Sequence, residues 1–347
     1  MKGPRPAGLR PLWMLIGCGV LVAALVAGVA LGPVSLPPGS VALELVDHIP
    51  GVEVVSGLSE QQGAIVWNLR LPRVVLGLLV GAMLALAGGC YQGVFRNPLA
   101  DPMLLGVAAG AGLGATLYIV ARAGGMDLSP RLLPLAAFVG AMAALAATYL
   151  LGAGSAKRGA GTLILAGVAV SAFLSAAQTY VQQRNVESLD NVYSWLLGRL
   201  GSVNWSDVAM LLPYVAVTGL LVLLRRRELD VLSLGDTEAA ALGLHPRRSR
   251  LILLTAASLG TAAAVSVSGL IGFVGVVVPH IVRLLAGRSY RSILPLSLVF
   301  GGAFLVLADL AARTVVAPAE LPIGVVTAFI GAPFFVLVMR TSTEVRP

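Results

Sequence analysis

The chain has 347 residues, of which 57% are hydrophobic and 12% charged, and its mean hydropathy is +0.91. Charge at about half the ~25% of an ordinary soluble domain excludes a water-soluble globule and leaves an integral membrane protein. The formal net charge of +8 is assigned to loops on the cytoplasmic face rather than to a nucleic-acid groove, because no basic run is interleaved with aromatic residues.

In chain order the apolar runs divide into ten predicted spans, near residues 12–31, 66–89, 103–121, 132–152, 161–181, 207–224, 251–267, 272–286, 293–312 and 321–340. About 20 apolar residues suffice to cross ~30 Å of hydrocarbon at ~1.5 Å per residue. The first run reaches Gly32-Pro33 without an A-x-A cleavage site, so it is read as a span and not as a signal peptide. Ser266 to Gly275 is read as a break between two short spans. The expected fold is all-α, a polytopic bundle forming one domain over residues 1–347.

Orientation follows from the basic residues. With both termini in the cytoplasm, 17 of the 24 fall inside, among them Lys2, Arg5, Arg10, Arg96, Lys157, Arg158, Arg225 to Arg227, Arg247, Arg248, Arg250 and Arg346. Small residues recur every four positions: Gly77, Gly81, Ala85 and Gly89, then Gly106, Gly110 and Gly114, then Ala136, Gly140 and Ala144. That spacing places each set on one helical face, where neighbouring backbones approach closely.

Three polar stretches stand out from this background. Arg70 and Arg73, three residues apart at the outer mouth of the second span, face one way on a helix and suit either lipid headgroups or the carboxylates of a soluble partner. Tyr91 to Pro102 holds two prolines and an asparagine, a rigid turn that serves as a connector or as a gate. Arg225 to Arg250 is the long polar interruption of the second half. Within it Asp236 or Thr237 can cap a short helix, Glu238 favours its positive end, and Gly243 with His245-Pro246 ends it. About two helical turns are marginal alone and need a surface to rest on. The apolar residues there are mostly alanine, which favours a protein groove over lipid.

Several chemistries are excluded. The only lysines are Lys2 and Lys157, and neither stands in G-x-x-x-x-G-K-[ST], so the chain is not its own ATPase. Gly110 to Gly114 lies inside a span with no preceding strand and is read as helix packing, not as a dinucleotide turn. Cys18 and Cys90 have no CxxC partner, and His48, His245 and His280 have no second ligand at metal spacing, so neither a metal nor a cofactor is expected. An ion-coupled carrier acting alone needs acids or histidines within the membrane; only Asp309 and His280 qualify, and Asp309 has Arg313 four residues on.

The motifs resemble the permease subunits of binding-protein-dependent ABC importers for iron-siderophores, haem and vitamin B12. They are Arg70-Leu-Pro-Arg73, Gln92-Gly-Val-Phe-Arg-Asn-Pro-Leu-Ala-Asp-Pro102, Leu165-Ala-Gly-Val168, Leu234 to Gly243, Gly272 to Arg283 and Glu320 to Thr327, in family order from residue 65 onward. The resemblance implies an inner-membrane permease, not an enzyme, that pairs with a second copy or close paralogue around a central pathway. It implies two ATP-binding subunits below and an extracytoplasmic substrate-binding protein above, in contact with lipid and with no nucleic acid. It implies docking of the binding protein at Arg70, Arg73 and Arg313, and a cytoplasmic gate at Asn97 and Leu99. A second constriction falls near Ala160 and Gly161, where this chain has small residues. Coupling to the ATPase is implied at Leu234, Gly235, Asp236, Thr237, Glu238, Ala239, Ala240, Leu242 and Gly243, inside a segment of about residues 229–248. The cargo is expected to be an iron-siderophore complex, with haem or vitamin B12 as alternatives within the family.

Overall fold

The computed structural model describes residues 11–343 apart from residues 33, 35, 49, 50, 52, 53, 154–159 and 202. Lys2, Arg5, Arg10, Lys157, Arg158 and Arg346, which carry part of the predicted orientation, lie outside the described residues. In chain order the helices are α1 (Pro11–Ala30), α2 (Pro38–Asp47), α3 (Glu60–Ile65), α4 (Leu71–Phe95), α5 (Val107–Ala123), α6 (Leu132–Ala153), α7 (Ala160–Arg184) and α8 (Leu189–Leu196). They continue as α9 (Trp205–Leu224), α10 (Arg226–Leu232), α11 (Asp236–Ala241), α12 (Pro246–Ser268), α13 (Val274–Ala286), α14 (Tyr290–Thr314) and α15 (Ile323–Thr343).

Among the described residues, seven helices are long and apolar enough to cross a membrane, and three shorter apolar helices lie at Val107–Ala123, Val274–Ala286 and Ile323–Val338. Together they coincide one for one with the ten predicted spans. The longest, which runs from Glu60 through α3 and one π turn into α4, is also the most enclosed, with 83% of its apolar window buried. α14, α12, α13 and α9 pack around α4, while α5, α6 and α7 pack on one another beside it.

Apolar side chains gain nothing by leaving lipid for another apolar surface, so contact between such helices rests on close packing and dispersion. The small-residue ladders supply it. A Cβ at Gly81 of α4 would strike the Gly301 carbonyl of α14, and one at Gly110 of α5 would strike the Gly140 carbonyl of α6. Side chains at these points would force the backbones apart.

The break expected between residues 266 and 275 is present. α12 ends at Ser268, and α13 begins after Phe273, whose φ of +68° is the left-handed region that bulky residues avoid. Three short helices outside the apolar set, α2, α8 and α10, and the α3 extension that leads into α4 were not expected. α3 carries a legible start signal, because Ser59 and Gln62 form a reciprocal capping box with bonds of 3.3 and 3.1 Å.

Candidate functional site

Polar contacts gather at the two ends of α4. At its first turn, Arg70 and Arg73 leave in different directions and do not form the open pair that their spacing suggests. Arg70, only 5% exposed, turns inward and donates to the carbonyls of Val29 at 2.9 Å, Ala30 at 2.7 Å and Val34. Those oxygens terminate α1 or follow it and lack helical partners, which is why a guanidinium is drawn to them. Arg73 grips Asp309 of α14 in a fork, with bonds of 2.8 to 3.0 Å, and reaches Glu320 at 2.9 and 3.0 Å.

Arg313, 2% exposed, places its Nε 3.5 Å from Asp309 and donates to the Gly28 carbonyl. Three arginines and two acids therefore bind α1, α4, α14 and the segment before α15 at one point. Asp309 is held by two cations, so this buried acid is a structural counter-ion in this arrangement. The side chain of Glu320 is 41% exposed, the open member of the cluster.

At the other end of α4 the chain enters the proposed gate turn through Arg96, which closes the helix in the left-handed conformation at φ +52°. The turn is tied to itself. Asn97 donates its N–H to the Gln92 carbonyl at 3.2 Å, its Oδ1 accepts from the Leu99 N–H at 2.9 Å, and Asp101 caps the short helical turn Pro102–Leu105 through the Met103 N–H at 2.8 Å. Asn97 is exposed and Leu99 half-buried. Of the other two gate candidates, Ala160 opens α7, and a Cβ built on Gly161 would meet nothing within 4 Å. Within this one chain, position 161 faces open space.

The polar segment folds as α10 and α11. The expected cap at Asp236 or Thr237 gives way to Gly235, at φ +136°, because the Asp236 carboxylate is engaged elsewhere. Arg250 of α12 donates to it at 2.7 Å, and Arg96 also reaches it. The two guanidinium groups, Arg250 foremost, hold the Asp236 carboxyl below the usual carboxylate range. A lowered folded value means the contact is in place above the unfolded carboxylate range and is lost only as pH falls through the lowered value, well below neutrality. The predicted stop is as expected: Gly243, at φ +82°, precedes Leu244, whose N–H returns to the Ala239 carbonyl at 3.0 Å. Ala239 is buried, while Leu234, Thr237, Glu238, Ala240 and Leu242 are exposed.

Asp230 and the side chain of Arg96 were missed in the sequence. Asp230 of α10 accepts from the Tyr290 N–H at 2.6 Å and the Ser289 hydroxyl at 2.9 Å, so it closes the first turn of α14. No local pattern marks a partner 60 residues away. Deeper in the bundle, Gln92 donates to the carbonyls of Gly275 at 3.2 Å and Val276 at 3.4 Å and accepts from Arg283 at 3.0 Å.

The described residues form a helical bundle with long apolar helices and with polar contacts gathered at the two ends of α4. The family model described as the FecCD transport family matches residues 20–341, and the chain belongs to that family. It is 42% identical to the cobalamin import system permease protein BtuC of Halobacterium salinarum, over 84% of this chain and 77% of that one. It is 41% identical to the hemin transport system permease protein HmuU of Yersinia pestis, over 81% of this chain and 85% of that one. A solved structure described as a metal-chelate type ABC transporter in an inward-facing conformation is similar with a TM-score of 0.83 and 31% identity, covering 95% of this chain and 100% of that one. The chain is a multi-span permease of a prokaryotic inner membrane, of the importer class that its motifs implied.

Proposed function

We propose that the chain is the membrane subunit of an ATP-driven, binding-protein-dependent importer that carries an iron-siderophore complex. In this reading all ten apolar helices cross the membrane with both termini in the cytoplasm. Two ATP-binding subunits dock below, a substrate-binding protein docks above, and a second copy or close paralogue completes the pathway. The observation that carries it is the division of polar work along α4, whose 25 residues separate the Arg73 cluster from the Arg96 turn by roughly 37 Å at 1.5 Å per residue. One end suits an acidic partner outside; the other presents a short helix with exposed Leu234 and Leu242 to a groove inside.

α7 and α15 leave broad apolar faces, with Leu165, Phe173, Phe329 and Leu337 all more than 60% exposed. Those faces suit the second copy and lipid. The cargo class is supported by what the relatives are named for, cobalamin, hemin and a metal chelate, each a metal ion wrapped in an organic ligand. The permease reconstituted with its ATPase and binding protein is expected to take up ferric siderophore only with ATP present. Uptake of cobalamin or haem instead would reassign the cargo, and uptake without ATP or partners would move the chain to the ion-coupled class.

Docking is assigned to the arginine cluster with its labour divided. Arg70 and Arg313 brace the bundle, and Arg73 can exchange the half-open Glu320 for a partner carboxylate. Arg73→Gln is expected to weaken binding of the loaded binding protein by about tenfold, the worth of ~1.4 kcal/mol, while Glu320→Gln does not weaken it. Equal affinities for both variants and the parent complex would remove the docking role from this cluster.

A further inference from the structure

We propose that Arg96 is the positioning residue through which movement of the α10–α11 segment reaches the turn at Asn97 to Leu99, an inference that rests on the coupling and gate assignments above. The main chain of Arg96 ends α4 and begins that turn. Its side chain leaves in the opposite sense and holds both sides of the joint between α10 and α11. Nε donates to the Leu232 carbonyl, the last residue of α10, at 2.8 Å, and Nη2 donates to Asp236, the first residue of α11. A push on α11 is therefore applied within one residue of Asn97.

The contact is specific to this joint. Asp236 is shared with Arg250, which fixes the same carboxylate to the start of α12 at 2.7 Å. Asp230, one turn before the joint, fixes α10 to the start of α14 through the Tyr290 N–H and the Ser289 hydroxyl. With α12 and α14 tied at their ends, α11 cannot shift against the bundle without loading these bonds. Of the three ties, only the one through Arg96 leads directly into the turn. The turn in turn is internally fixed by the Leu99 N–H to Asn97 Oδ1 bond and by the Ala100 N–H to the Asn97 carbonyl at 3.1 Å, so it is displaced as a unit.

The exposure of the pair separates this role from a purely structural one. The side chains of Arg96 and Asp236 are 38% and 53% exposed. Ion pairs that open to water contribute little to stability, so the fold is expected to survive their removal. The bond to Leu232 and the shared carboxylate make the geometry directional all the same. Loss of the guanidinium is expected to free the turn from the segment while leaving the exposed leucines of the segment available to a partner.

The test uses the complete complex of permease, ATPase and binding protein in proteoliposomes, with ATP hydrolysis and substrate uptake measured on the same preparation. Arg96→Asn is the first variant, because asparagine accepts the left-handed backbone at position 96 but is too short to reach Leu232 or Asp236. Hydrolysis is expected to stay within about twofold of the parent, and substrate moved per ATP to fall about tenfold. Asp236→Asn, which removes the charge at constant shape, is expected to lower the same ratio, and Arg96→Lys to restore most of it. An unchanged ratio in both neutral variants overturns the proposal. So does a fall in hydrolysis and uptake in equal proportion, which would make Arg96 a brace only. If Arg96→Asn does not assemble, Asp236→Asn alone decides. The underlying coupling assignment fails separately: Leu234→Asp with Leu242→Asp is expected to prevent co-purification of the ATPase, and normal co-purification would displace the docking surface itself.

Discussion

Asp309→Ala is expected to destabilise the bundle by about 3–5 kcal/mol, the usual consequence of removing one partner from a buried ion pair. The carboxylate is 2% exposed and stands between two guanidinium groups, Arg73 in a fork and Arg313 one helical turn on. Alanine would leave both cations short of a counter-ion, with Arg313 at 2% exposure. Glu320 can satisfy part of Arg73, whereas among the described residues Arg313 keeps the neutral Gly28 carbonyl and no acid in contact, so Arg313 bears most of the effect. Removing both members is expected to be milder: Asp309→Leu with Arg313→Met substitutes apolar contact for a charge that has become unpaired, and such replacements are often close to neutral. Unfolding of the detergent-solubilised protein checks this order. A double variant less stable than Asp309→Ala would show that the Gly28 carbonyl, the other partner of Arg313, matters more than the ion pair.

The apolar helices were legible because a run of apolar residues of that length suits hydrocarbon, and the small-residue ladders were legible because helical spacing puts them on one face. The short helices were less so. α3 announces itself through Ser59 and Gln62, whereas α10 is masked by Arg226 and Arg227, although its Leu229 and Leu232 are fully buried. The stop of α11 followed from Gly243, since a local backbone need has a local residue signature. Its start did not, because the residue that looks like a cap, Asp236, is claimed by Arg96, 140 positions away. The same holds for Arg70: spacing put it on a helix face beside Arg73, but its partners are carbonyls 36 to 41 residues earlier. Long-range polar partners are where local pattern stops being informative. In this chain they make up most of the candidate site.

Gly88→Val is expected to prevent formation of the bundle altogether. α4 and the start of α13 approach so closely there that a Cβ on Gly88 would fall on the Cα, carbonyl carbon and oxygen of Gly275. Overpacking of a core ordinarily costs about 1–3 kcal/mol because neighbouring side chains adjust. Here the obstacle is main chain on both sides, and relief requires moving a whole helix. Such a shift would also draw Gln92, one turn further along α4 and 1% exposed, away from the carbonyls of Gly275 and Val276 and from Arg283. The buried Gln92 amide would lose its partners, while the half-buried Arg283 keeps Tyr290, and an unsatisfied buried polar group is itself destabilising by ~1–3 kcal/mol. Gly161→Val is the matched control, because a Cβ at that position meets no atom within 4 Å. Full-length, protease-resistant protein is expected in the membrane for Gly161→Val and only degraded chain for Gly88→Val. Equal recovery of the two would mean that α4 and α13 do not meet at Gly88 and Gly275, and that the Gln92 network must be held by some other packing.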